Sequence, residues 1–383
     1  MKILLVNHRF FPAEGGTERW ALGLGRALVK KGNEVTVLTQ LEPNTTRLGV
    51  LDGIRIVRLP FQRFGKFRVP LGYWRTLKSL DYDVINVSGN RIWSADLYFP
   101  VAGVFDGPQV ATPHDFYQLT MQPRSVVNRA YFGWYLPWRL RAFDEYLAQT
   151  QREKDRAIRL GIPESLITVA GTAIDIHDFQ ESVPRVGIRE NWKITRPMIG
   201  LYVGGMWENK RVDRVIRSLA PLRDQVSLAV VGRDVPESRW NQRVLQQLAD
   251  DLQVEVRFLG SPSRRDLVGM YHESDLYLFG SEYEGFGLSL LEAMASGLPF
   301  VSFDAGAAPL LSQSGAGFLA QSEEEFTQRV RELVMDEGLR HEMGERGRRA
   351  SVNWDWMTIS ENYLGAFNRA IKLENPDSRR SAR

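Results

Sequence analysis

Short apolar runs alternate with longer amphipathic segments along most of the chain. The first run, Lys2–Val6, predicts a buried strand, and it is followed by a loop, Asn7–Thr17, and by apolar positions at helical spacing. We expect Thr17 to cap this helix and Gly32 to end it. The same pattern predicts further strands at Glu34–Thr39, Ile54–Leu59, Val84–Val87, Gln109–Thr112 and Tyr146–Gln149.

The alternation starts again in the second half of the chain. It predicts strands at Met198–Val203, Ser227–Val231, Glu255–Leu259, Asp275–Phe279 and Phe300–Phe303. Strands that alternate with helices build parallel sheets with helices on both faces. We therefore expect an α/β protein with two Rossmann-like, doubly wound parallel-sheet domains, joined near Asp175–Pro184. A chain of 383 residues is long enough for two cores.

The composition limits the class of protein. With 43% hydrophobic and 25% charged residues, the chain is globular rather than disordered. Cysteine is absent, which excludes disulfides and thiolate metal sites. No apolar run reaches the roughly 18–20 residues that cross a bilayer, so we expect a cytoplasmic protein. The excess of Lys and Arg lies in the first 175 residues, which indicates either an anionic partner or an ordinary solvated surface.

The stretch SEYEGFGLSLLEAMASGLP, which begins at Ser281, combines the features of an anion site. It follows a predicted strand, and Gly285 and Gly287 precede apolar positions at helical spacing. Free N–H groups and the positive dipole end at a helix start favour a phosphate. Glu284 and Glu292 flank this start and suit hydroxyl groups, so the stretch fits a nucleotide-sugar. An ordinary strand–helix turn with surface glutamates has the same local features.

The wider pattern S-x-x-E-G-F-G-L-x-x-L-E-A-M-A-x-G-x-P resembles the donor-site signature of retaining glycosyltransferase family 4. Members of this family have the GT-B fold, in which two Rossmann-like domains face each other across a cleft. The resemblance implies that Glu292 holds the ribose hydroxyls and Glu284 the hydroxyls of the donor sugar. The implied catalytic set is His114, Lys210 and Glu284, and the implied donor-binding set is Gly15, Gly16, Gly205, Lys210, Glu284, Gly285, Phe286, Gly287, Leu288, Ser289 and Glu292.

Three other segments carry the same resemblance. Residues 8–17, with Glu14-Gly15-Gly16-Thr17, resemble the glycine loop at the donor phosphates. Val169–Asp175 resembles the family's linker motif, and Ser351–Trp356 resembles the start of its last helix. The resemblance implies an acceptor-binding domain over 1–178, a donor-binding domain over 179–355 and a helix over 356–372 that crosses back to the first domain. We expect the polar tail, 373–383, to be disordered.

The loop after the first strand of the second series departs from the family pattern. The family has Gly-Arg-Leu there and a lysine a few residues later, and both cations serve the diphosphate. Lys210 fits the lysine, but Gly205 occupies the arginine position. Either Arg211 or Arg9 substitutes for that arginine, or the leaving group is stabilised less strongly.

His114 follows the predicted strand Gln109–Thr112. In the family, a histidine after that strand reaches the donor sugar and the reaction centre, and Asp115 would orient its ring. A histidine in a strand-end turn without a catalytic role fits the sequence as well. The histidines lack the spacing of metal ligands. The triplet DYD at residues 81–83, which matches a D-x-D metal motif, directly precedes a strand and needs no special role. We therefore expect no metal site.

Two basic stretches that are rich in aromatic residues, Phe61–Lys78 and Arg124–Arg141, contain no acidic residue. Cations combined with aromatics suit an anionic membrane surface or a lipid-linked acceptor. Part of each stretch can instead be buried. The same pattern can bind nucleic acid, but no such module is recognisable, so we expect no nucleic-acid partner.

The resemblance as a whole implies a retaining, metal-independent hexosyltransferase that needs no cofactor. It would move a hexose from a UDP- or GDP-linked donor to a hydroxyl of a glycan or lipid-linked acceptor, in the cytoplasm or at the inner face of the membrane. Two alternatives stay open. One is a GT-B sugar-nucleotide epimerase, and the other is a sugar-nucleotide-binding protein that has lost catalysis, for which Gly205 is the only sign.

Overall fold

The computed structural model describes residues 1–13, 15–64, 67–89, 107–114, 143–181 and 183–373, with the side chains of 63, 64, 67 and 68 left aside. These residues form two compact units. One contains Met1–Ala173 together with the chain from Trp356 onward, and the other is Ile174–Asp355. The change of unit comes a few residues before the expected boundary at 178, because Ile174 and Ile176 pack in the core of the second unit.

The first unit is built on a mixed sheet and a hairpin. Its described strands are β1 (Lys2–Val6), β2 (Glu34–Gln40), β3 (Leu48–Leu51), β4 (Ile54–Leu59), β5 (Phe61–Phe64), β6 (Phe67–Pro70), β7 (Val84–Ser88), β8 (Gln109–Thr112), β9 (Glu145–Ala148) and β10 (Ile167–Val169). The main sheet has the order β10-β9-β8-β7-β1-β2-β4-β3, and β5 pairs with β6. Neighbouring strands of the main sheet are parallel, except that β3 is antiparallel to β4.

The second unit is built on a parallel sheet. Its described strands are β11 (Met198–Val203), β12 (Val226–Val231), β13 (Val256–Gly260), β14 (Leu276–Phe279), β15 (Phe300–Phe303) and β16 (Gly317–Ala320). Their order is β13-β12-β11-β14-β15-β16, and neighbouring strands are parallel. Apolar side chains cover both faces of this sheet: Leu201 and Tyr277 belong to one core layer, and Tyr202 and Leu278 to the other.

Helices separate most of these strands. The described α-helices are α1 (Gly16–Lys30), α2 (Tyr73–Ser79), α3 (Gln151–Arg159), α4 (Ile176–Gln180), α5 (Ile188–Asn191), α6 (Val212–Leu219), α7 (Gln242–Leu252), α8 (Arg264–His272), α9 (Leu288–Ala295), α10 (Ala308–Ser312), α11 (Glu323–Met335), α12 (Glu337–Ser351) and α13 (Trp356–Leu373). Short 3₁₀ turns lie at Glu164–Leu166, Glu208–Lys210, Ala220–Leu222 and Val352–Trp354. In the described part of the chain, no helix has the length and apolar character needed to span a bilayer.

Thr17 does not cap α1, so that prediction is wrong. The helix begins one residue earlier, and Gly15, with an extended backbone, is the N-cap residue. Thr17 lies in the first turn, where its hydroxyl donates to Glu18 at 2.9 Å. Because glycine has no side chain, the N–H groups of the first turn receive no acceptor from the cap position.

The last helix, α13, belongs to the first unit. Trp20 Nε1 on α1 donates to the Tyr363 hydroxyl at 2.9 Å, and that hydroxyl donates to Gly171 O at 2.8 Å. Asn362 Nδ2 donates to Ala170 O at 3.0 Å. Because Trp20 and Tyr363 are almost fully buried, these hydrogen bonds are shielded from water and fix α13 against α1.

The strand order of each sheet reverses at one point. The reversal lies between β1 and β7 in the first unit and between β11 and β14 in the second. In doubly wound sheets, ligands bind beyond the carboxyl ends of the strands at such a point. The loops that leave β11 and β14 are therefore the place to look for a site in the second unit.

Candidate active site

The loops that leave β11 and β14 carry an ion pair. Lys210, after β11, pairs with Glu284, after β14, although 74 residues separate them in the chain. Ser281 Oγ donates a further hydrogen bond to the Glu284 carboxylate at 2.8 Å. The backbones also meet, since Glu282 N donates to Asn209 O at 2.9 Å. Two predicted catalytic residues are thus in contact, and their side chains are only 24% and 12% exposed.

The glycine turn after Glu284 leads into α9. Gly287 is the N-cap residue and has φ 98°, a left-handed conformation that glycine adopts without strain. No side chain caps α9, so the first-turn N–H groups, which include those of Leu288 and Ser289, face no side-chain acceptor. Phe286 is buried and packs edge-on against Trp354, with ring centroids 5.2 Å apart. The turn therefore presents an uncapped helix start beside the Lys210–Glu284 pair.

Gly306 packs against the turn that carries Glu284 and Phe286. It has φ 55°, and a Cβ there would lie 2.8 Å from Glu284 Cβ and closer still to Phe286 O. The next peptide holds the turn, since Ala307 N donates to Phe286 O at 2.8 Å. A side chain at residue 306 would push away the loop that carries Glu284. The sequence analysis missed this residue, whose only signal is a glycine soon after the predicted strand Phe300–Phe303.

Glu292 lies in the second turn of α9 and is 3% exposed. Its Oε1 accepts from Arg264 Nη1 at 2.8 Å, and its Oε2 accepts from the Tyr271 hydroxyl at 2.9 Å. Burial raises the pKa of Tyr271 well above its usual value, so this hydroxyl keeps its proton and donates. Both oxygens of the Glu292 carboxylate thus accept hydrogen bonds from side chains of α8. Arg264 and Tyr271, which lie seven residues apart on one face of α8, were not predicted from the sequence.

His114 lies after β8 in the first unit, with φ 64°, and the residue is half-buried. Gln149 Nε2 lies 2.7 Å from its Nδ1. Because an amide NH₂ donates, Nδ1 accepts and the ring proton is on Nε2. The ring packs edge-on against Trp20 at 4.4 Å. His114 Nε2 is buried and has no hydrogen-bond partner among the described residues. The His114 Nε2 proton thus meets no acceptor within the described part of the chain. Gln149 was not predicted from the sequence.

Two family models match the chain and together cover most of it. One, described as "Glycosyltransferase Family 4", matches residues 14–178, and the other, described as "Glycosyl transferases group 1", matches residues 187–350. The chain belongs to glycosyltransferase family 4. The protein is accordingly a glycosyltransferase, as the sequence predicted.

Individual relatives match along their full length. The GDP-mannose-dependent alpha-mannosyltransferase of Mycobacterium tuberculosis (strain CDC 1551 / Oshkosh) is 25% identical, over 96% of each chain. The D-inositol 3-phosphate glycosyltransferase of Corynebacterium aurimucosum is 23% identical, over 98% of each chain. Sucrose-phosphate synthase from Thermosynechococcus elongatus has a similar structure, with a TM-score of 0.81 at 19% identity over 97% of this chain and 99% of that one.

A second solved structure has the same fold. HepE from Anabaena, in complex with UDP and glucose, has a TM-score of 0.78 at 20% identity over 96% of this chain and 99% of that one. The predicted GT-B fold is thereby confirmed for this family 4 glycosyltransferase.

Gly205, which stands where the family pattern has arginine, lies next to the ring of Trp207. A Cβ at Gly205 would lie 3.1 Å from Cδ1 and Nε1 of Trp207, a residue that is 42% exposed. The two arginines that the sequence offered as substitutes both have carboxylate partners. Arg211 lies 3.0 Å from Asp213 and 3.3 Å from Glu282, and Arg9, in the first unit, lies 2.8 Å from Glu42.

Gly205→Arg tests this loop. We expect the single variant to bind nucleoside diphosphates more weakly, by up to roughly tenfold, because the new Cβ would lie 3.1 Å from the Trp207 ring and this ring must shift. With Trp207→Ala in the background, the arginine has room and should tighten binding relative to Trp207→Ala alone. Calorimetric titration with UDP and GDP measures both effects. A single variant that binds more tightly than the parent would show that Gly205 has no steric role.

The protonation state of His114 gives a second prediction. Burial lowers the pKa of His114 to about 3 from a usual 6.5. Between those values only the unfolded chain binds the proton, so stability should fall as the pH is lowered from 6.5 toward 3. We expect ¹⁵N NMR to detect a neutral ring with its proton on Nε2 from about pH 8 to pH 5, and kcat to show no inflection from this group. A ring that titrates near 6.5 in the folded protein would contradict this.

Some predicted features lie elsewhere or outside the described residues. Glu14, Asp115 and the stretch Arg124–Arg141 are outside them. In the stretch Phe61–Lys78, the side chains of Tyr73 and Leu77 are buried, so part of it belongs to the core. Gly15 and Gly16 form the start of α1.

The D-x-D triplet has a structural explanation. Asp81 forms an ion pair with Lys2 Nζ at 2.5 Å, and Asp83 accepts from Lys2 N at 2.7 Å. Both aspartates therefore hold the start of β1. Within the described ranges, no group of three or more histidines and carboxylates is arranged to hold a metal ion.

Proposed function

We propose that this glycosyltransferase is a retaining, metal-independent hexosyltransferase that uses a nucleoside diphosphate sugar. The observation that carries the proposal is the Lys210–Glu284 pair at the strand-order reversal, beside the uncapped start of α9. A cation and free amides suit a diphosphate, and carboxylates suit the hydroxyls on either side of it. A UDP- or GDP-linked hexose is supported by the GDP-mannose dependence in one relative's name and by the UDP bound to HepE.

The predicted residues at the start of α9 and in the loop after β11 then have these roles. Glu292 would accept hydrogen bonds from the ribose hydroxyls, and Glu284 from the hydroxyls of the donor sugar. Lys210 and the amides of Gly287, Leu288 and Ser289 would bind the diphosphate. Glu284 neutralises the Lys210 ammonium in the present structure. A bound diphosphate would therefore share Lys210 with Glu284. The predicted contact of His114 with the donor sugar stays a prediction.

The reaction would proceed by attack on the face from which the diphosphate leaves. The acceptor oxygen forms the new bond to the anomeric carbon, and the bond from that carbon to the diphosphate oxygen breaks with its electron pair. The acceptor proton passes to that departing oxygen. Lys210 and the positive end of α9 stabilise the charge that the diphosphate gains, and Glu284 stabilises the charge of the sugar. The anomeric configuration is retained.

The proposed acceptor is a hydroxyl of a glycan or of a lipid-linked molecule. Support comes from the relative named D-inositol 3-phosphate glycosyltransferase, whose acceptor carries ring hydroxyls. Contact with an anionic membrane surface stays a prediction from the sequence, because Arg124–Arg141 lies outside the described residues.

Chelation tests the proposed metal independence. We expect donor turnover in EDTA to be nearly as fast as without it, because Lys210 and the α9 amides stabilise the diphosphate in place of a metal cation. Release of UDP or GDP from hexose donors, measured with a crude glycolipid extract as acceptor, gives the readout. Complete loss of turnover that Mn²⁺ or Mg²⁺ restores would contradict this account of the diphosphate site.

A further inference from the structure

Three cations near the proposed diphosphate site already have carboxylate partners. They are Lys210 with Glu284, Arg211 with Asp213 and Glu282, and Arg264 with Glu292. A diphosphate that met only these side chains would compete with a carboxylate for each of them. An unpaired cation at the same edge of the sheet would bind it without that competition.

Arg233 is such a cation. It follows β12, the neighbour of β11 in the sheet, so it leaves the same edge as the loop that carries Gly205 and Lys210. The two loops are joined, since Met206 N donates to Arg233 O at 3.1 Å. The Arg233 side chain is exposed, and no carboxylate among the described residues pairs with it. Its charge is therefore available to a ligand.

Trp207 connects Arg233 to Gly205. The Arg233 guanidinium lies over the Trp207 ring, 5.9 Å from its centroid. The same ring borders Gly205, where a Cβ would lie 3.1 Å from its Cδ1 and Nε1 atoms. The ring thus takes the space in which a side chain at residue 205 would begin. It also restrains Arg233, because a guanidinium over an indole face gains cation–π attraction.

We infer that Arg233 binds the diphosphate of the donor, reaching it across Trp207 from the strand beside the glycine loop. The inference rests on the proposed function, since it needs a diphosphate at this loop. A guanidinium can bind two phosphate oxygens at once, and it stays charged at every accessible pH. Arg233 would therefore hold the diphosphate in the bound donor and offset the charge that it gains on departure. Arg233 would thus supply the positive charge that the family's arginine supplies at the position of Gly205.

The test compares Arg233→Gln with a matched control. Arg239→Gln removes another exposed arginine of the same segment, which lies over Trp240 at 4.9 Å. Calorimetric titrations use UDP, GDP and inorganic pyrophosphate at low and high salt. We expect Arg233→Gln to weaken binding of the nucleoside diphosphates about tenfold. Arg239→Gln should bind the nucleoside diphosphates as tightly as the parent. The affinity of Arg233→Lys should lie between those of the parent and of Arg233→Gln. The salt dependence should be smaller in Arg233→Gln, since one exposed charge fewer is screened.

The probes separate this inference from the proposed function. One outcome is that the parent protein binds pyrophosphate, with weaker binding in Arg233→Gln, and yet binds neither UDP nor GDP. In that case the proposed donor is wrong, but Arg233 does belong to an anion site. If Arg233→Gln binds every probe as the parent does, or loses no more affinity than Arg239→Gln, the inference is overturned. The proposed nucleotide-sugar donor is unaffected by that result. If the parent binds none of the probes, both are overturned. Thermal melting of each variant shows whether a loss of binding is only a loss of fold.

Discussion

Glu284→Gln is expected to lower kcat by about one to two orders of magnitude without raising the donor KM. The carboxylate would contact a sugar that gains positive charge as its bond breaks, so it stabilises the transition state more than the bound donor. Glutamine keeps the shape and can still accept from Ser281, which now donates at 2.8 Å. Steady-state kinetics with a hexose donor measure the effect.

Glu292→Gln is the matched comparison and should act mainly on KM, raising it roughly tenfold. The ribose does not react, so its contact has similar strength in the ground and transition states. Free UDP or GDP should lose affinity with Glu292→Gln but not with Glu284→Gln, which removes the carboxylate that competes with the diphosphate for Lys210. Tyr271→Phe removes one partner of the Glu292 carboxylate without removing its charge, and thus measures the structural part of the effect. The opposite pattern of kcat and KM would mean that the two roles are exchanged.

Gly306→Ala is expected to reduce both stability and activity. Its φ of 55° costs a residue with a Cβ about 1–2 kcal/mol. The Cβ would also lie 2.8 Å from Glu284 Cβ, so the loop must shift. We expect a total loss of about 2–4 kcal/mol in the free energy of unfolding, measured in urea, and a kcat at least tenfold lower.

Gly260→Ala is the control for this prediction. Gly260 has φ 70° in the same unit, but a Cβ there would meet no heavy atom within 4 Å. It should therefore show the conformational cost alone, about 1 kcal/mol, with kcat unchanged. Equal destabilisation by both variants together with a normal kcat for Gly306→Ala would show that Gly306 does not position the Glu284 loop.

Apolar runs identified the buried strands because burial on both faces leaves an unmistakable pattern, as in β11 and β12. The same criterion missed β3, in which Leu48 and Val50 are 63% and 75% exposed. It also missed the short strands β10 and β16. The start of α1 was predicted at Thr17 because threonine is a preferred N-cap residue. The actual N-cap residue is Gly15, which has no side chain by which the sequence could mark the position.

The candidate site residues that the sequence proposes, such as Glu284, Gly287 and Glu292, lie in one continuous motif. Its contacts across the fold could not be predicted. Lys210 and Glu284 lie 74 residues apart, and only the reversal of strand order brings them together. Gly306, Gln149 and Arg233 contact residues that follow other strands, and no local spacing marks such contacts.

The fate of the donor sugar tests the central claim most directly. The protein is incubated with a UDP- or GDP-hexose labelled with ¹³C at the anomeric carbon and with a glycolipid acceptor extract, and the labelled carbon is followed by NMR. We predict transfer to the acceptor with the anomeric configuration of the donor, strongly reduced in Glu284→Gln. Inversion at that carbon, release of a free sugar epimerised by water, or binding of the donor without turnover would each contradict the account.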